Sequence, residues 1–109
     1  MSNLEILNDR FTLCILQAVK SLRTCDYEKS FKLIGEAMRI NPDAPHPHNL
    51  LGILYELTGD SNKARRHFRA AYSLDPTYKP ACKNLDQICT VFGNDKLHTC
   101  DFGDGTEEG

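Results

Sequence analysis

The chain has 109 residues, of which 40% are apolar and 26% charged, and a net charge of -2. That size and balance fit one small globular domain and exclude a fibre or a wholly disordered chain. The apolar stretch at residues 11–19 is short of the ~20 residues that cross a bilayer, and Glu5, Asp9 and Arg10 precede it, so neither an anchor nor a signal peptide is expected.

The charge is unevenly spread. From Asp101 onward there are four acids (Asp101, Asp104, Glu107, Glu108) and no Lys or Arg, which leaves the rest of the chain near +2. Residues 94–109 are therefore expected to be a flexible acidic, Gly-rich tail. The five cysteines are odd in number, scattered and without a CxxC pair, so a disulfide framework is not expected and a reducing, cytoplasmic setting is.

In chain order, residues 2–23 predict a long helix. Ser2 and Glu5 stand at capping-box spacing, and Leu4, Leu7, Phe11, Cys14, Ala18 and Leu22 recur every three or four residues. Asp26 is the expected cap of a second helix that runs to about Ile40, with Phe31, Ile34, Ala37 and Met38 inward. Asn41-Pro42 ends it, because proline disfavours helix at the residue before it. A third helix is expected over about 47–58, with Pro47 in its first turn, where a missing N–H costs nothing. Gly59 then supplies the left-handed turn and Asp60 the next cap. A fourth helix runs over about 61–74 to Asp75-Pro76, and a fifth over about 79–91, ending near Gly93. No stretch alternates polar and apolar residues for long, so no strand is expected.

Displaced by 34 residues, the chain aligns with itself: Thr24 meets Thr58, Asp26 meets Asp60, Ala37 meets Ala71, and Pro42 meets Pro76. A helix–turn–helix unit with this period resembles the tetratricopeptide repeat. The central copy carries Leu51, Gly52, Tyr55, Gly59, Asp60, Ala64, Phe68, Ala71 and Pro76 where that pattern wants them. In the first copy Gln17 replaces Leu, Ser21 replaces Tyr, and Cys25 replaces Gly. The resemblance implies an all-α fold, a short right-handed α-solenoid of stacked antiparallel helix pairs with about two and a half repeats. Residues 1–10 would extend the first helix, 11–44 form a degenerate repeat, 45–78 the complete one, 79–93 a capping helix, and 94–109 the tail. The small Gly52, Ala64 and Ala71 let helices approach, while Leu51, Tyr55 and Phe68 fill the space between pairs. Asp86 takes the place of Ala18 and Gly52, as befits a solvated end of the array, and Leu85 keeps the apolar contact back to the fourth helix. So short an array predicts either marginal stability or an apolar face covered by a dimer or another partner.

The resemblance also implies a function: a protein–protein interaction module whose concave groove binds a peptide or helix. Its lining here would be Thr12, Ile15, Val19 and Leu22, then His46, Asn49, Ile53 and Glu56, then Lys83, Gln87 and Thr90, with Asn49, Lys83 and Gln87 bonding a peptide backbone or carboxylate. One subclass clamps acidic chaperone C-termini with charged residues. The aligned Ile15, Val19, Leu50, Pro80 and Asn84 carry no charge, so that activity does not transfer. Two other readings stay open: a homo-oligomer that buries the groove and open ends, and a nucleic-acid adaptor using Lys63, Arg66 and Arg69, a basic patch on the convex side. Against nucleic acid, no aromatic residue interleaves that patch and the chain is acidic overall. A third reading has the patch attract the acidic tail.

Catalytic and metal chemistry find little support. There is no Ser/His/acid or Cys/His pattern and no phosphate loop, so no enzyme, cofactor or membrane partner is expected. Cys14, His48 and Cys82 hold equivalent places in successive repeats, on the order of 10 Å apart. Zinc ligands lie at about 2.0–2.3 Å from the metal, so these three cannot share one ion. Cys25, in a turn, is the thiol expected to be exposed.

Overall fold

Five helices follow one another in the computed structural model, which describes residues 3–87 and 100–104: α1 (Asn3–Arg23), α2 (Tyr27–Ile40), α3 (His46–Leu57), α4 (Ser61–Leu74) and α5 (Lys79–Gln87). No strand occurs among the described residues. The principal packing is α1 on α2 and α3 on α4, with α2 on α3 and α4 on α5 joining the pairs. This is an all-α stack of helix hairpins.

The two hairpin turns are built from the same bonds 34 residues apart, which is the sequence repeat expressed as hydrogen bonds. Asp26 accepts the Lys29 N–H at 3.2 Å, and Asp60 accepts that of Lys63 at 3.1 Å. The Asp26 N–H reaches Ser21 O and the Asp60 N–H reaches Tyr55 O, each at 2.8 Å. Thr24 and Thr58 fold their hydroxyls back onto the carbonyls of Lys20 and Leu54 at 3.2 and 2.9 Å. The helix exits match as well. Asn41 Oδ1 accepts the Asp43 N–H at 3.3 Å, and Asp75 Oδ1 accepts the Thr77 N–H at 3.0 Å, so both X-Pro turns are tied by a short polar side chain. Gly59 takes φ +93 as a helix-ending residue should, and Cys25 takes φ +60 in the equivalent place.

Small residues mark the close crossings. Ala18, Ala37, Ala64, Ala71 and Ala81 are fully buried, and a Cβ on Gly52 would overlap the Phe68 ring. Ile34, Leu50, Ile53 and Phe68 complete the core between pairs. Phe31 departs from expectation, being 54% exposed. Ser30 holds the buried position instead, and one residue further turns Phe31 about 100° away from it. Asp86 is exposed and Leu85 packs against the core, as a terminal helix requires. The third helix begins one residue before its expected start, at His46, with no side-chain cap on Pro45. The expected end of the fifth helix, over 88–93, lies outside the described residues.

Candidate functional site

The candidate groove is lined by the first helix of each pair, α1, α3 and α5, with α3 touching both of the others. The structure fills it with the chain's own residues 100–104, a segment with no regular structure that bends at Gly103 and Asp104. Where a flexible tail is expected over 94–109, this part is packed, with Cys100 and Phe102 buried in the same cluster as Val19, Leu22 and Ile53. The physical reason is the burial of Phe102, the tail's one aromatic side chain besides His98, which removes apolar surface from water.

Two buried asparagines hold the segment by its backbone. Asn84 Nδ2 donates to Asp101 O at 2.8 Å, while Asn84 Oδ1 accepts the Asp101 N–H at 2.7 Å. Asn49 Nδ2 donates to the same carbonyl at 3.0 Å, and Asn49 Oδ1 accepts from Asn84 Nδ2 at 2.9 Å. One amide therefore engages both backbone groups of a residue, as a neighbouring strand would, without reading its side chain. Asn49 and Asn84 are 0% and 3% exposed, a depth at which an unpaired amide costs about 1–3 kcal/mol. Beyond the grip, Gly103 N–H bonds back to Asp101 Oδ1 at 2.9 Å and closes the bend. Arg23 donates to both carboxylate oxygens of Asp104 at 3.1 Å, and its guanidinium lies 4.2 Å from the Phe102 ring centre.

An aromatic row borders the segment. Phe11 meets His46 edge to face at 5.8 Å between centroids, and His46 meets Tyr78 at 4.7 Å. The Tyr78 hydroxyl lies where a side chain on Gly103 would go. Burial, and then the charge of Asp101, push the Tyr78 pKa up to about 12; Asp104 adds to the rise and a hydrogen bond with Asn49 opposes it. Burial holds His46 below the ordinary histidine range, partly offset by Asp75, and its Nδ1 is buried without a hydrogen-bond partner.

The expected lining residues divide. Val19, Leu22 and Ile53 are buried in one cluster with Phe102, and Asn49 is buried against residue 101; Glu56 is buried with its Oε1 accepting from the Ser61 hydroxyl at 2.9 Å. Ile15, His46 and Gln87 are half-buried, and Thr12 is exposed. Thr90 lies outside the described residues. Lys83 is exposed, and Asn84 takes the inward position assigned to it. Asn84 is the 34-residue equivalent of Leu50, which is buried too, and from that place it bonds Asn49 on the neighbouring helix. Sequence reasoning misses Arg23 and Tyr78, and reads Asn84 only as an uncharged residue aligned with a clamp position. A chemical signal for Asn84 existed, an amide beside the expected lysine. None pointed to Arg23 or Tyr78.

On the other side, Lys63, Arg66 and Arg69 are exposed on α4, with Lys63 3.9 Å from Asp60 and 5.3 Å from the Tyr55 ring. The described part of the tail engages Arg23 rather than this patch. His48 and His67 place their Nδ1 atoms 3.2 Å apart, so one ring donates and the other accepts; burial lowers the pKa of both. No group of three or more His, Cys, Asp or Glu side chains converges among the described residues. No described helix is long and apolar enough to cross a membrane. Cys25 is exposed.

The described residues form stacked helix hairpins whose inner face holds the backbone of the chain's own residue 101. Residues 45–78, from the α3 N-cap to Tyr78, match the family model for the tetratricopeptide repeat, so this segment is one such repeat. No curated protein and no solved structure matches the chain.

Proposed function

We propose that the chain is a non-catalytic protein-interaction module, working in the cytoplasm, whose inner face holds a peptide from a protein partner. In this reading 11–44 is a degenerate first repeat and 79–93 the cap. The observation that carries it is the paired grip of Asn49 and Asn84 on one backbone unit, 101. Such a grip is indifferent to side chain, so it suits a peptide supplied by another molecule as well as the segment now seated there. Panning a random peptide library against the full-length chain with Phe102→Ala, which weakens the seated segment, tests this. Selected peptides should bind at least tenfold more weakly when Asn49→Ala and Asn84→Ala are added. Peptides indifferent to those changes, but lost with Arg66→Ala and Arg69→Ala, would move the site to the outer face and sink the proposal.

Self-association is the second reading, favoured by Leu13 and Leu16. They lie at i, i+3 on α1 and are 54% and 53% exposed, although α1 packs on α2 and α3. A homodimer formed there would fall to a single-chain mass by sedimentation when Leu16→Lys is introduced.

A further inference from the structure

The inner face meets residues 100–104 through contacts of two kinds. The grip on residue 101 uses only its N–H and C=O, so anything but proline satisfies it. The next three positions are read by side chain. Phe102 is 2% exposed, sits in the cluster with Val19, Leu22 and Ile53, and stacks beneath the Arg23 guanidinium. Gly103 has φ +78, and a Cβ on it would overlap the Tyr78 hydroxyl, so a side chain is refused both by backbone conformation and by space. Asp104 receives two hydrogen bonds from Arg23. A planar guanidinium can lie over a ring and bond a carboxylate with the same group, which a lysine in that place could not do as well. Aromatic, glycine and acid are thus selected in succession.

We propose that the inner face takes peptides presenting an aromatic residue, a glycine and an acid in that order, and that residues 102–104 are the chain's own copy of this signature, seated as an intramolecular competitor. The inference rests on the reading of this face as a peptide site. A tethered segment acts at an effective concentration of about 1 mM, so a peptide arriving from solution binds only by displacing it. Release of the tail is then the step that opens the site, and anything that holds residues 102–104 elsewhere activates the module.

The test uses full-length protein and a fluorescent heptapeptide copying residues 99–105, followed by anisotropy. Two variants weaken the internal seat: Phe102→Ala, and Asp104→Arg, which keeps the ring and so remains usable if the first fails to fold. Circular dichroism identifies the folded ones. Each folded variant should bind the heptapeptide at least tenfold more tightly than the unaltered chain. Within a variant, alanine for the peptide's phenylalanine, alanine for its first glycine, or asparagine for its second acid should each weaken binding at least tenfold. Folded variants that bind no better than the unaltered chain would make the segment a fixed part of the core and overturn the competitor. Altered heptapeptides that bind as well as the original would overturn the signature and leave the peptide site standing. No binding by any heptapeptide, together with an empty library selection, would remove both. An unaltered chain of twice the single-chain mass, reduced to one by Phe102→Ala, would seat the segment in a second copy and overturn the intramolecular form.

Discussion

Cys25 shows how one side chain records the divergence of two repeats. It holds φ +60 where the second hairpin has Gly59 at φ +93. A side chain in the left-handed region costs roughly 1–2 kcal/mol through contact of Cβ with the following carbonyl. Glycine would remove that cost but restore about 0.4–1 kcal/mol of freedom to the unfolded chain. Against the change stands a contact of the thiol with Tyr27, whose pKa is pushed up to about 12 chiefly by its hydrogen bond to Cys25. Cys25→Gly is expected to raise stability by up to about 1 kcal/mol, read as a higher urea midpoint at unchanged slope. A lower midpoint would mean that the Tyr27 contact outweighs the strain.

At the scale of the helices, two glycines with opposite surroundings separate propensity from packing. Gly35 lies within α2 with nothing within 4 Å of a Cβ built on it, whereas Gly52 in α3 faces the Phe68 ring. Alanine favours helix over glycine by about 0.8–1 kcal/mol at either site. Overpacking a core costs about 1–3 kcal/mol, and the Phe68 ring that a Cβ on Gly52 would overlap is 1% exposed. Gly35→Ala should therefore stabilise the chain by roughly 0.5–1 kcal/mol, and Gly52→Ala should destabilise it by about 1–2 kcal/mol, both by thermal unfolding. Equal signs would show that Phe68 moves aside. The same contrast explains what the sequence could disclose. Helices, caps and the 34-residue period are local properties, carried by Asp26, Gly59, Asp60 and the X-Pro turns, and each was legible. Val19, Leu22, Asn49 and Ile53, named from the resemblance, are buried in the structure. In α5 the period still pairs buried Ala81 with Pro47 and buried Asn84 with Leu50, but Lys83 is exposed where its equivalent Asn49 is buried. The seating of 100–104 was illegible for a different reason. It depends on a contact 81 residues apart, Arg23 with Asp104, and on the fit of Phe102 into a face formed only after three helices stack.

For the molecule as a whole, that long-range seat links the tail to alkaline stability through Tyr78. Its pKa stands at about 12, above the value of about 10 for an unfolded tyrosine, because burial, Asp101 and Asp104 disfavour the phenolate. A proton is thus held more tightly in the folded, tail-seated form. The contribution of Tyr78 is fully present below pH of about 10 and is lost as pH rises from there toward about 12. Tyr27 is raised similarly and follows the same sign, but its causes lie at Cys25, remote in sequence from the tail. Seating of the tail and protonation of Tyr78 must then favour each other. Three NMR titrations of the Tyr78 ring test this, in the unaltered chain, in Asp104→Asn and in Phe102→Ala. The midpoint should fall in Asp104→Asn, which removes one repelling charge, and fall further in Phe102→Ala, where the ring that keeps residues 101–104 in place is gone. The Asn84 side-chain amide signals should shift over the same pH range as Tyr78 in the unaltered chain, since Asn84 loses Asp101 when the segment leaves. A Tyr78 midpoint indifferent to both substitutions would mean that its neighbours in the fold, His46 above all, keep it buried without help from the tail.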